Sequence, residues 1–301
     1  HTGDVTGATS LTIADDAVTS AKIADGTIVN ANINASAAID GSKISPTFTT
    51  DGSFNSVSIG KGANSVSGNT VLGEDALDAA VSGGNNTAIG NAALGACTEG
   101  HSNTAMGQGA AENITTGDHN VAIGRNSLGS QTTADNNVAI GQSALFANTT
   151  GSANVALGTS ALGANTTASN CTAVGASALA ANTTASGNSA FGHQALTANT
   201  TGTGNIGVGK NSLLSNTTGS SNVAVGQNSL DANTTADNNT ALGHEALGAN
   251  TTGTNNVAVG AQALDANTTA SFNTAVGQNS LGVTTTGHSN TAMGQGSSEN
   301  I

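Results

Sequence analysis

The sequence predicts an all-β fold, a parallel β-roll or β-solenoid wound in 17-residue coils. Three observations carry that expectation. Glycines recur at 73, 90, 107, 124, 141, 158 and onward to Gly294, spaced by seventeen without one insertion. Each sits in the same phrase, N-[VT]-A-φ-G-x-x-[AS]-L-x-A-N-T-T-[GA]-x-x, where φ is apolar. The residue types in that phrase suit strands and turns and oppose a helix, which would not take a Gly, β-branched residues and several Asn in every repeat. A constant period without insertions means that each repeat stacks on the last in fixed geometry.

Taking the Asn as position 1, the coil reads element by element. The run N-V-A-I-G alternates as a short strand does. The Gly marks a bend, here Gly124, Gly141 and Gly158. A second short strand is expected through the Ala-Leu pair, and A-N-T-T-G is turn chemistry. Positions 2, 4 and 9 are expected inside, because position 4 is apolar in every coil and position 9 is Leu in twelve of fourteen, as at Leu128, Leu145 and Leu162. The position-1 column, with Asn120, Asn137 and Asn154, is suited to a ladder of stacked amides along the axis. Position 3 is expected to face outward. It is Ala in twelve of fourteen coils, and Ala122, Ala139, Ala156, Ala173 and Ala224 would form a smooth surface where another subunit could approach closely. An exposed flat face without a partner is the plainer alternative. Coils about 4.8 Å apart make the whole a rod roughly 65 Å long.

The coils occupy residues 69–301. Before them, residues 1–50 carry a shorter repeat in which Ile13, Ile23, Ile33 and Ile44 recur at intervals of ten, ten and eleven. One such unit is too thin to bury its Ile alone, so a narrow shaft shared with other chains is expected there. Residues 51–68, with Phe54 and the strand-like SFNSVSIG, are expected to cap the first coil, since an open strand edge invites aggregation. Residues 288–301 repeat residues 101–114 at twelve of fourteen positions. The start on His1 and the stop within the last coil lead us to expect a piece of a longer protein.

Composition restricts function. Five Lys+Arg against eighteen Asp+Glu give a net charge of −13, which disfavours nucleic acid and anionic membrane as partners. No run approaches the roughly 18 apolar residues of a membrane helix. Cys97 and Cys171 lie too far apart along the stack to pair within a chain. His193 and His244 share position 6 but sit three coils apart, about 14 Å, so no metal site is expected. Acids such as Asp231, Asp265, Asp135 and Asp237 fall on rim positions, and no nucleophile and base converge. No cofactor and no enzymatic activity are expected. The N-T-T phrases, as at Asn148 and Asn165, match the glycosylation pattern, but turn chemistry already explains them.

The phrases NTAIGNAAL, NVALGTSALGANTTASN and NTALGHEALGANTTG resemble repeats of phage tail fibres and related bacterial surface proteins. They are also similar to the repeats of trimeric autotransporter adhesin heads, from whose usual fourteen-residue period they depart by a longer A-N-T-T turn. VTSAKIADGTIVNANINASAAIDGSKIS resembles the shaft-connecting repeats of phage tail fibres. The resemblance implies a left-handed parallel roll, a homotrimer, and a rod in the virion. Tail components would lie at the N-terminal side, and a tip outside this chain would bind the host-surface receptor. A bacterial surface adhesin head that binds matrix or cells is the alternative. Ice binding by the Thr columns is a minor one, disfavoured because the two Thr are adjacent and sit in a turn.

Overall fold

The computed structural model describes residues 5–6, 12–13, 52–54 and 57–298. The chain divides into two units, His1–Thr49 and Thr50–Ile301. In the first, β1 (Val5–Thr6) pairs antiparallel with β2 (Thr12–Ile13). The rest of the Ile repeat expected to form a shaft lies outside the described residues.

The second unit is a solenoid built on one 16-stranded sheet. It begins with a hairpin of β3 (Gly52–Phe54) and β4 (Val57–Gly60), and β4 pairs antiparallel with β5 (Thr70–Gly73), the strand of the first coil. Every later strand, up to β18 (Thr291–Met293), pairs in parallel with the one before it. The register is one coil throughout, as in Val155↔Thr172, Ala156↔Ala173 and Leu157↔Val174. Each strand therefore stacks on its own repeat equivalent, and identical side chains form columns.

The remainder of the coil also hydrogen-bonds between coils. Starting from Val121, the N–H groups of Val121, Leu128 and Ser130 donate forward to Asn137, Ala144 and Phe146 at 2.8, 3.0 and 3.0 Å. Those of Gly124, Asn126 and Asn136 donate backward to Met106, Gln108 and Asp118 at 2.8, 2.9 and 3.1 Å. Backbone hydrogen bonds thus join successive coils around the circumference, which a chain with so thin a core needs.

There is one strand per coil. The second strand expected through the Ala-Leu pair is a turn instead, in which positions 7 and 9 take left-handed backbone: Asn126 has φ 57° and Leu128 φ 51°. Leu128, Leu145 and Leu162 all adopt this conformation. It costs about 1–2 kcal/mol in a non-glycine residue. Burying a Leu side chain offsets this with about 1.5–3 kcal/mol, and these three leucines have no exposed surface.

The bend glycines have a sharper requirement. Gly158 has φ 136°, and a Cβ there would lie 2.6 Å from the carbonyl carbon of Gly175 in the next coil. Gly124 and Gly141 stand in the same conformation, φ 122° and 134°, against the glycine that follows each of them. Unusual backbone and close stacking together keep this column free of side chains.

The inside and outside of the strand are reversed from the sequence expectation. Ala122, Ala139, Ala156, Ala173 and Ala224 are completely buried within their own chain. They are core residues and cannot be the surface where a second subunit docks. The flanking positions 2 and 4 face outward: no residue at either is buried in any of the fourteen coils, and Leu157 and Leu242 are 41% and 46% exposed. The physical reason is the cross-section. The coil has room inside for one Leu, two Asn columns and small residues, so the strand turns its smallest side chain inward and its larger ones out.

Candidate functional site: the ladders and faces of the coil

Two columns of buried asparagine run along the interior. At position 1, Asn137 Oδ1 accepts the N–H of Asn154 at 3.0 Å, and its Nδ2 donates to the carbonyl of Gly151 at 2.9 Å. Asn120 does the same for Asn137, at 2.9 Å, and for Ala134. Each side chain thus ties the next coil and fixes the far side of its own. The column is continuous from Asn69 to Cys171 and resumes at Asn188. Cys171 still donates its N–H to Asn154 at 3.0 Å, and its Sγ reaches the Ala185 carbonyl at 3.3 Å.

The second column, at position 12, was not foreseen from the sequence, which suggested only a turn. Asn165 donates to Asn148 Oδ1 at 2.8 Å, Asn199 to Asn182 at 2.9 Å, and Asn233 to Asn216 at 2.8 Å. Each amide also holds a carbonyl three residues on, as Asn165 holds Ala168 at 3.1 Å. The signal was available: position 12 is Asn in eight consecutive coils, from Asn148 to Asn267. Gln131 starts the column, with Oε1 accepting from Asn148 at 2.9 Å. Thr284 ends it and leaves Asn267 Oδ1 buried without a partner. Asn148 and Asn165, like the rest of the column, have no exposed surface, so the N-T-T phrases cannot be glycosylated in the folded chain.

Next to this column, Thr at position 13 is half-buried and passes its hydroxyl to the next coil, as Thr149 Oγ1 does to the Thr166 carbonyl at 3.0 Å. Thr at position 14, such as Thr150 and Thr167, is exposed.

The turn face at positions 7 and 10 carries Asp75, Asp78, Glu112, Asp231, Glu245 and Asp265. Asp231, Glu245 and Asp265 line a shallow depression over Gly248. Burial pushes the Asp231 and Asp265 carboxyls above the usual carboxylate range, and the nearby charge of Glu245 adds to this. Glu245 is held by Gln262 Nε2 at 2.9 Å. Asp75, Asp78 and Glu112 line a similar depression near the first coils. Among the described residues, no three His, Cys, Asp or Glu side chains are grouped to hold a metal. Cys97 and Cys171 are buried free thiols whose pKa burial raises, which makes them poor nucleophiles.

The fold and its ladders define the class: this is a β-solenoid repeat protein whose interior is organised by stacked amides. No protein-family profile, curated protein or solved structure matches the chain.

Proposed function

We propose that the chain is a structural and adhesive fibre segment, a homotrimeric rod of a phage tail fibre that holds a receptor-binding tip away from the virion. The observation that carries this reading is the inter-coil hydrogen bonding around the entire circumference, reinforced by two internal amide ladders. Such a rod is stiff along its axis, because bending it opens many bonds at once. Its surface depressions are shallow and lined by acids and small residues. That design suits spacing and presentation rather than turnover. The resemblance of the coil phrases and of the N-terminal Ile repeat to tail-fibre repeats gives the reading its biological setting.

An adhesin head on a bacterial surface would use the same rod, with the roll itself as the binding element. Antibodies raised against the chain and used in electron microscopy separate the two. Labelled fibres projecting from virions are expected, whereas labelling confined to the bacterial surface would overturn the tail-fibre reading. Light scattering on the chain is expected to give three times 28.7 kDa, and a single-chain mass would overturn the trimer.

A further inference from the structure

Position 4 presents a contradiction that a single chain does not resolve. It is apolar in all fourteen coils, from Leu72 to Met293, yet it is nowhere buried. Phe191 is 42% exposed and Leu157 41%. Position 2 beside it is Val, Ile, Thr or Ser in every coil, and no charge occurs at either position. The repeat contains its own control. Position 6, two residues on, is likewise never buried and takes Glu, Asn, Gln, Arg, Thr, Ala, His and Lys in different coils. The same repeats have therefore diverged freely at one exposed column and stayed apolar at its neighbour.

We infer that this outward strand face is covered by copies of the chain itself, packed in parallel and in register, with positions 2 and 4 at the contact. The inference rests on the trimeric-fibre reading and assigns its interface, which the buried Ala column cannot provide.

Size and period both favour a second copy as the occupant. Fourteen strands at about 4.8 Å and three residues at about 3.3 Å give a face of roughly 650 Å². Two such faces bury about 1,300 Å², within the range of specific interfaces. The face repeats its pattern with every coil along the rod, and a parallel copy offers the same period, so side chains interdigitate at every level. The net charge of −13 per chain opposes association elsewhere on the surface, whereas this face carries none of it.

The test places charge on the face. Leu157→Glu with Val225→Glu is expected to shift the full chain from its assembled mass to 28.7 kDa. Thr159→Glu with Gln227→Glu, at position 6, is expected to leave the assembled mass unchanged. Because the first variant could fail to fold, a second measurement uses cysteine. Val225→Cys is expected to form a disulfide between copies under mild oxidation, and Gln227→Cys to form none, since native Cys97 and Cys171 are buried. An assembled mass that ignores the position-4 charges, or equal cross-linking from position 6, overturns this face and leaves the fibre reading standing. A monomeric native chain overturns the face and the trimer together.

Discussion

Replacing Cys171 by Asn tests whether the position-1 ladder stabilises the rod. At Asn137 the side chain provides an acceptor for the next coil's N–H and a donor for the Gly151 carbonyl. At Cys171 the corresponding acceptor for Asn188 is a thiol, and the donor to Ala185 is a weak S–H at 3.3 Å. Cys171→Asn restores one acceptor and replaces a weak donor with an amide. Two neutral hydrogen bonds contribute about 0.5–1.5 kcal/mol each. The added side-chain volume takes back part of that gain, because Asn is larger than Cys in a packed column. The column already holds Asn154 below and Asn188 above in the same register, so the required space is that of its neighbours. The net expectation is about 1–2 kcal/mol, a rise of roughly 2–8 °C in Tm for a domain of this size. Thermal melting followed by circular dichroism or calorimetry measures it. The converse is Asn222→Ala, which leaves the buried N–H of Asn239 without its acceptor and the Ala236 carbonyl with Asn233 Nδ2 as its remaining donor. That should lower stability by about 1–3 kcal/mol. A lower Tm for Cys171→Asn, together with an unchanged one for Asn222→Ala, would refute the ladder as a source of stability.

Four further outcomes are expected. Gly158→Ala should destabilise by several kcal/mol, because its φ of 136° and a Cβ 2.6 Å from Gly175 leave no relaxed conformation, whereas Gly95→Ala, with its nearest neighbour at 3.4 Å, should melt close to the native chain. Ala156→Phe should lower the melting temperature of the fold itself, by about 1–3 kcal/mol or more of overpacking, and a normal melt with lost association would return this residue to the surface. Thr284→Asn should extend the position-12 ladder to the unpartnered Asn267 Oδ1 and raise Tm by about 1 kcal/mol in equivalent stability, read in the same melts. The fourth concerns pH. The folded state binds the protons of Asp231 and Asp265 more tightly than the unfolded chain, so the native protein gains stability as pH falls through their raised pKa, and the gain is complete below the ordinary carboxylate value. Asp231→Asn should therefore stabilise modestly at neutral pH and make no difference in acid, and a benefit that persists in acid would show that charge is not its source.

The sequence by itself determined the solenoid, its period and the start of its strands. Those are properties of a repeat: an unbroken spacing of seventeen forces equivalent residues into columns, and a Gly in every coil marks where the backbone must bend. The Asn column at position 1 was legible for the same reason. The tertiary structure decided which face of the strand is inside. Alternation of side chains shows that positions 2 and 4 oppose position 3, but not which set the coil encloses. The usual rule, apolar inside, chose the larger residues and failed at Ala122 and Ile123, because this interior has room beside its Leu and Asn columns for small side chains alone. The left-handed turn at Leu128 was also hidden, since Leu has no intrinsic preference for that backbone and adopts it only because the next coil's carbonyl and a buried site are there to receive it. The position-12 amides illustrate the same division. N-T-T is adequate turn chemistry on its own, and only the stacking of Asn148 beneath Asn165 at one-coil spacing turns eight separate turns into a continuous internal ladder.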